Sequence, residues 1–122
     1  MGVSRLRRRG VPMLVLSTEV NPVVAARCGK LGLECVQGVD DKLAALRSIA
    51  AERGVGLADV VYVGNDINDR SCLEAVGCAV VPHDAHVSAK AVADIVLASG
   101  GGRGAVRELC DMVEAHPALR IA

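Results

Sequence analysis

The feature that most constrains the fold is Val60–Asp69, with the sequence VVYVGNDIND. An apolar run ends at Gly64, and Asn65, Asp66 and Asp69 follow within five positions. In α/β proteins, a magnesium site often follows a strand and a glycine turn at the carboxyl edge of a parallel sheet. Carboxylates suit such a site because Mg²⁺ prefers hard oxygen ligands. The alternative is that Asp66 or Asp69 only caps the following helix, since Asp is common there.

Short apolar segments alternate with helical patterns along the chain, which predicts an α/β fold, a doubly wound parallel sheet. We expect a single domain over residues 1–122. It opens on a helix, where a complete fold of this kind would begin with a strand. The expected strands are 13–17, 34–38, 60–63, 78–82 and 94–98, and the expected helices are 2–9, 21–30, 42–53, 70–76, 86–92 and 105–114, with Asn21 capping the second and Asp84 capping the fifth.

The composition excludes several classes of protein. Hydrophobic residues make up 52% of the chain, but Tyr62 is the only aromatic one, so the core must be aliphatic. The 14 basic and 14 acidic residues cancel, which leaves no global field that favours nucleic acid or a membrane. The five cysteines are odd in number and lack CxxC spacing, so we expect reduced, mostly buried thiols in a cytoplasmic protein.

Two further polar features follow other expected strands. Ser17 and Thr18 offer hydroxyls and backbone N–H groups that can bind a phosphate, although a simple turn is the alternative. Lys42 opens a helix whose start is already electropositive, which is unfavourable unless the lysine holds an anion. The alternative there is a surface lysine paired with Asp40 or Asp41.

Two later segments are open to a functional and an ordinary interpretation. His83, Asp84 and His86 suggest a metal site, but only two histidines cluster, so loop and cap roles are favoured. The glycine-rich turn around Arg103 carries one guanidinium that could contact an anion, or it is an ordinary turn.

Taken together, the segments LVLSTE, QGVDDK, VGNDINDRSCL, VPHDAH and GGRGAVRE resemble, in order, the motifs of the haloacid dehalogenase (HAD) superfamily. The similar group is the capless one that includes 3-deoxy-manno-octulosonate 8-phosphate phosphatases and the phosphatase-like domain of acylneuraminate cytidylyltransferases. The resemblance implies a Mg²⁺-dependent phosphatase acting on an octulosonate 8-phosphate or nonulosonate 9-phosphate, and a homo-oligomer, a tetramer in that group. It assigns phosphate binding to Ser17, Thr18 and Lys42, catalytic stabilisation to Ser17 and Lys42, sugar contact to Arg103, and metal binding to Asn65, Asp66 and Asp69.

The chain departs from the family pattern in two ways. The family's first motif is a DxD whose first aspartate is the nucleophile, but no acidic residue precedes Glu19 here. Asn65 also stands where many members have an aspartate, which weakens the metal site. The resemblance therefore implies an N-terminally truncated domain that binds Mg²⁺ weakly and does not hydrolyse a phosphomonoester. The alternative is a non-catalytic module that drives oligomerisation, as in some cytidylyltransferases.

The same resemblance places the missing strand between strands 13–17 and 60–63. An empty position there would leave backbone groups unpaired. We therefore expect those two strands to pair directly, or another chain to fill the gap.

Overall fold

The computed structural model describes residues 13–17, 26, 34–100 and 108–109. Within these residues the elements alternate as the sequence predicts. Their bounds are β1 Leu14–Leu16, β2 Glu34–Val36, α1 Lys42–Glu52, a 3₁₀ turn Leu57–Asp59, β3 Val61–Val63, a second 3₁₀ turn Ile67–Asp69, α2 Arg70–Ala75, β4 Cys78–Val81, α3 Val87–Lys90 and β5 Ile95–Val96.

All the described strands pair in parallel, which confirms the predicted α/β class. β1 pairs with β2, with Val15 opposite Cys35, and β4 lies between β3 and β5, with Tyr62 opposite Ala79. These pairings form two sheets, one of two strands and one of three. Among the described residues β1 and β3 are therefore not hydrogen-bonded to each other, and the expected direct pairing is not formed. Whether a strand from elsewhere joins them stays a prediction.

The core is aliphatic, as the composition predicts, and centres on β4. Ala79, Val80 and Val81 are fully buried in this middle strand. Leu16 of β1 also packs against the cluster, so both sheets contribute to one core. The buried cluster consists of Leu46, Val60, Tyr62, Cys72, Leu73, Ala79, Val81, Ala85 and Ala89.

Helix α1 shows why its segment folds as predicted. Its N-cap Asp41 accepts a hydrogen bond from the backbone N–H of Ala44 at 3.0 Å, which satisfies one of the unpaired donors of the first turn. Leu46 and Ala50 point into the core. The helix ends before Gly54, whose φ of +66° is a left-handed conformation that suits glycine after a helix.

Three details differ from the sequence predictions. β1 is half-buried where burial on both faces was expected. His86 caps α3, because its Nδ1 accepts from the backbone N–H of Ser88, and the prediction of Asp84 as the cap is wrong. All five described strands are also one to three residues shorter than predicted, since regular pairing ends where the chain turns.

Other predictions lie wholly or mostly outside the described residues. These are helices 2–9, 21–30 and 105–114, of which only residues 26, 108 and 109 are described, and these are helical. Among the described cysteines, Cys35, Cys72 and Cys78 are free thiols, and only Cys72 is buried. No helix of the described chain is long and apolar enough to span a bilayer.

Candidate active site

The turn after β3 is shaped by a close approach of backbone and side chain at Gly64. A Cβ added at Gly64 would lie 2.5 Å from Cβ of Asp69, so this position requires glycine. Asp66 then caps the 3₁₀ turn, with its Oδ1 accepting from the N–H of Ile67 at 2.7 Å. Asp66 therefore caps this turn and not α2, whose N-cap Asp69 makes no side-chain capping hydrogen bond.

Asp69 is the centre of the site and, within the part of the chain that the structure describes, the buried charged residue, at 3% exposure. Its Oδ2 accepts from the backbone N–H groups of Asn65 at 3.0 Å and Asp66 at 3.3 Å. Its Oδ1 accepts from Nζ of Lys42 at 2.9 Å and from the hydroxyl of Tyr62 at 2.7 Å. A carboxylate has about four acceptor positions, so these four donors account for all of them.

The four donors also set the ionisation of the site. Burial raises the pKa of Asp69, but the hydrogen bonds from Lys42 and Tyr62 outweigh it and leave the pKa below its usual range. For Tyr62, burial and the adjacent carboxylate both raise the pKa well above the ordinary value. The site therefore holds an ionised carboxylate, a neutral phenol and the ammonium group of Lys42.

Lys42 lies at the start of α1 and reaches across to the turn after β3. Its side chain is 11% exposed and forms the ion pair with Asp69, 27 residues away. The alternative of a surface lysine paired with Asp40 or Asp41 is wrong, and Asp41 instead caps the helix. An ammonium fixed at the edge of a sheet is suited to stabilising charge on a transferring phosphoryl group.

Asn65 and Asp66 are both exposed beside this buried pair. Their side-chain oxygens are hard donors, and Mg²⁺ usually takes only one or two protein ligands. The described residues contain no group of three His, Cys, Asp or Glu side chains that could hold a metal ion. Asp66 and Asn65 thus present exposed oxygens of the kind that Mg²⁺ prefers, whereas the oxygens of Asp69 already have protein donors. The predicted metal roles of all three residues stay predictions.

The remaining predicted site residues fall at two places. Ser17 follows β1, and its backbone oxygen accepts from the N–H of Val39 at 3.0 Å, which brings the end of β1 beside the segment that leads into α1. Thr18 and Arg103 lie outside the described residues, so their predicted roles stay predictions.

The loop that contains His83 and His86 packs against the turn after β3, which the sequence did not reveal. The backbone N–H of His86 donates to the backbone oxygen of Asn65 at 2.9 Å. The backbone N–H of His83 donates to the backbone oxygen of Ser99, also at 2.9 Å. Both histidines thus have loop or cap positions, as favoured from the sequence. The loop buttresses the turn that carries Asn65 and Asp66.

Sequence reasoning missed two side chains that organise this edge. Tyr62 contacts Asp69, and the available signal was that the only aromatic residue precedes the acidic turn. Glu108 accepts from the backbone N–H groups of Ala98 and Ser99 at 3.1 and 2.9 Å, and these hydrogen bonds lower the pKa of its carboxyl. No local pattern indicated that contact, because its partners lie about ten residues upstream.

Two of the described thiols, those of Cys72 and Cys78, are poorly suited to act as a substitute nucleophile. Burial raises the pKa of Cys72 and of Cys78 above the ordinary value. Because the thiolate is the nucleophilic form, both groups are poorly reactive near neutral pH.

Comparison with known proteins places this geometry in a family. Residues 18–109 match the family model of haloacid dehalogenase-like hydrolases. The chain belongs to this family. A curated relative, the 3-deoxy-D-manno-octulosonate 8-phosphate phosphatase KdsC of Escherichia coli, is 35% identical over 104 residues, which are 84% of this chain and 55% of that protein. The chain thus spans about half the length of the curated relatives that it matches.

Solved structures agree with the assignment to the HAD hydrolases. A HAD family hydrolase from Streptomyces avermitilis is 41% identical with a TM-score of 0.90, over 96% of this chain and 67% of that one. The 3-deoxy-D-manno-octulosonate 8-phosphate phosphatase of Moraxella catarrhalis, solved with a magnesium ion, a phosphate ion and KDO, is 28% identical with a TM-score of 0.90, over 97% and 69%. The expected superfamily and the HAD-type fold are confirmed.

Proposed function

We propose that this chain carries the charge-stabilising part of a Mg²⁺-dependent sugar-phosphate phosphatase that acts on 3-deoxy-manno-octulosonate 8-phosphate or a nonulosonate 9-phosphate. The observation that supports it most is the Lys42–Asp69 pair, 2.9 Å apart, at the carboxyl end of β3 beside exposed Asp66. The relative from Escherichia coli is named for the first of these substrates, and the one from Moraxella catarrhalis was solved with magnesium, phosphate and the sugar acid.

Each residue has a stated role in this proposal. Lys42 neutralises oxygens of the phosphoryl group, and Ser17 donates to another oxygen from the end of β1. Asp66 and Asn65 hold the magnesium ion, which supplies Lewis-acid stabilisation of the phosphoryl oxygens when bound. Asp69 keeps Lys42 in place. Thr18 and Arg103 are assigned to the phosphate and to the anionic sugar, respectively.

The proposal includes inactivity of this chain by itself. The family reaction begins with attack of an aspartate carboxylate on phosphorus. No acidic residue precedes Glu19, and Asp69 has no acceptor position left. The residues present can therefore bind and stabilise a phosphoryl group, but they do not supply the attacking carboxylate.

We expect no phosphate release above background when this chain is incubated with Mg²⁺ and an aryl phosphate or 3-deoxy-manno-octulosonate 8-phosphate. Inorganic phosphate is measured over hours at high protein concentration, with the Lys42→Met variant as the matched blank. Turnover in the native chain that disappears in Lys42→Met would show that a nucleophile is present and would overturn this part of the proposal.

A second candidate is a non-catalytic, oligomer-forming module of the same fold. Asn65, which stands where many members of the family have an aspartate, favours it. This module would form a stable oligomer but would show no dependence of phosphate affinity on Mg²⁺ or on Lys42. Sedimentation velocity combined with phosphate titration separates the two candidates.

A further inference from the structure

Tyr62 joins the core to the candidate site. It is the only aromatic residue in the chain, it lies in the middle of β3, and it is 9% exposed within the buried cluster. A buried phenol hydroxyl is costly unless it forms a hydrogen bond. Here it donates to Oδ1 of Asp69 at 2.7 Å, the same oxygen that accepts from Lys42.

Packing in the core does not require a hydroxyl group at position 62. The sheet contains only Val, Ile, Ala and Cys at the other described positions of β3, β4 and β5. Replacing an aromatic ring by such a side chain changes the packing, but only the hydroxyl reaches Asp69. Packing therefore does not account for the hydroxyl group of Tyr62, which extends from the core to Asp69.

The hydroxyl restricts where the ammonium of Lys42 can sit. Oδ1 has two lone-pair positions, and Oδ2 is occupied by the backbone N–H groups of Asn65 and Asp66. Tyr62 extends from the core cluster, and its hydroxyl fills one of the two positions on Oδ1. Lys42 is left with the other position, where its side chain retains 11% exposure.

We propose that Tyr62 is a positioning residue of this site, whose hydroxyl holds Asp69 so that the Lys42 ammonium faces the sheet edge where an anion binds. Without the Tyr62 hydroxyl, the Asp69 carboxylate is free to rotate. The Lys42 ammonium can then move toward the acceptor position on Oδ1 that Tyr62 occupied. The assignment of the anion as a phosphate rests on the proposed function, but the placement of Lys42 by Tyr62 does not.

The test uses the Tyr62→Phe variant, which keeps the ring and removes only the hydroxyl. The chain has three lysines, Lys30, Lys42 and Lys90, so ¹⁵N-lysine labelling gives three Nζ signals, and Lys42→Met identifies the relevant one. We expect Tyr62→Phe to shift the Lys42 Nζ signal of the ligand-free protein and leave that of Lys90 unchanged. We also expect it to weaken inorganic phosphate binding about tenfold, the factor for one lost hydrogen bond to a charged group.

The matched control is Val60→Ala. Val60 is buried and apolar, and it directly precedes β3. It lowers the melting temperature through a cavity, but it should leave the Lys42 signal and the phosphate affinity at their native values. An unchanged Lys42 signal in Tyr62→Phe, or an equal shift in Val60→Ala, would overturn the proposal. A shifted signal in a protein that binds no phosphate would uphold the positioning role and reject the proposed function.

A measurement on the native protein covers the case in which Tyr62→Phe does not fold. Because Tyr62 is the only tyrosine, ¹³Cζ-tyrosine labels one site. We expect its hydroxyl proton to exchange slowly enough to give a resolved signal, as a buried hydrogen bond requires. Exchange as fast as that of free tyrosine would contradict the contact on which the proposal rests.

Discussion

Replacing Asp69 by Asn is expected to lower the free energy of unfolding by about 3–5 kcal/mol, the cost of breaking a buried pair and leaving one charge uncompensated. All four partners of the carboxylate are donors. An amide accepts on one side only, so its NH₂ group would meet either the two backbone N–H groups or the Lys42 and Tyr62 donors. Urea denaturation of both proteins measures the difference.

The matched control for this prediction is Glu74→Gln, which breaks the exposed pair between Arg70 and Glu74 on α2. Both side chains are about half exposed, so solvent screens the pair and the change should cost about 0.5 kcal/mol or less. Equal effects of Asp69→Asn and Glu74→Gln would contradict the view that Asp69 is the charge around which the turn is built.

The dependence of the Asp69 contribution on pH follows from the lowered pKa. The unfolded chain has the ordinary aspartate value of 3.8 and therefore binds a proton more readily than the folded chain. The stabilisation is complete above that value and is lost as the pH falls through the lower pKa of the folded protein. Asp69→Asn should lack this part of the acid-dependent loss of stability.

The second large effect is expected for Gly77→Ala, at the turn between α2 and β4. A Cβ at Gly77 would lie 1.8 Å from the backbone oxygen of Ala58, and no side-chain rotation relieves that contact. The backbones must separate, which strains the hydrogen bond from the N–H of Gly77 to the oxygen of Leu57, now 2.9 Å. We expect destabilisation of about 3 kcal/mol, at the upper end for an overpacked position, measured by urea denaturation.

Gly56→Ala provides the comparison for Gly77→Ala. The nearest atom to a Cβ at Gly56 is Oδ2 of Asp59 at 3.8 Å, an ordinary contact, and its φ of −77° suits any residue. Its effect should stay within about 0.5 kcal/mol, as for surface substitutions that disturb no special contact. A loss of stability at Gly56 as large as at Gly77 would show that chain flexibility, and not the close approach, is responsible.

The sequence was sufficient for features that depend on local pattern. Short apolar segments identified the parallel strands, and the helical patterns between them identified α1, because hydrophobic periodicity reports local secondary structure. The acidic turn was located by Gly64 and its neighbours. The unfavourable position of Lys42 at a helix start left open whether it holds an anion or pairs with Asp40 or Asp41. The structure pairs it with Asp69, and its binding of phosphate stays a prediction.

Features that depend on distant contacts were not available from the sequence. The saturation of Asp69 by four donors arises only when β3, its turn and α1 meet. The predicted metal roles of Asn65, Asp66 and Asp69 stay predictions. The His86 cap and the contact of Glu108 with Ala98 and Ser99 likewise depend on tertiary packing. Local sequence favoured Asp84 as the cap of the helix that His86 caps, because Asp is common at such positions.

Titration of inorganic phosphate with and without Mg²⁺ tests most directly the claim that this chain retains the phosphate-stabilising part of the site. Binding is followed by calorimetry for the native protein, for Lys42→Met, and for Lys90→Met as a control that also removes one positive charge. We expect Mg²⁺ to strengthen phosphate binding to the native protein and to Lys90→Met. We expect Lys42→Met to lose phosphate binding. Equal phosphate affinity in the native protein and Lys42→Met would contradict the account.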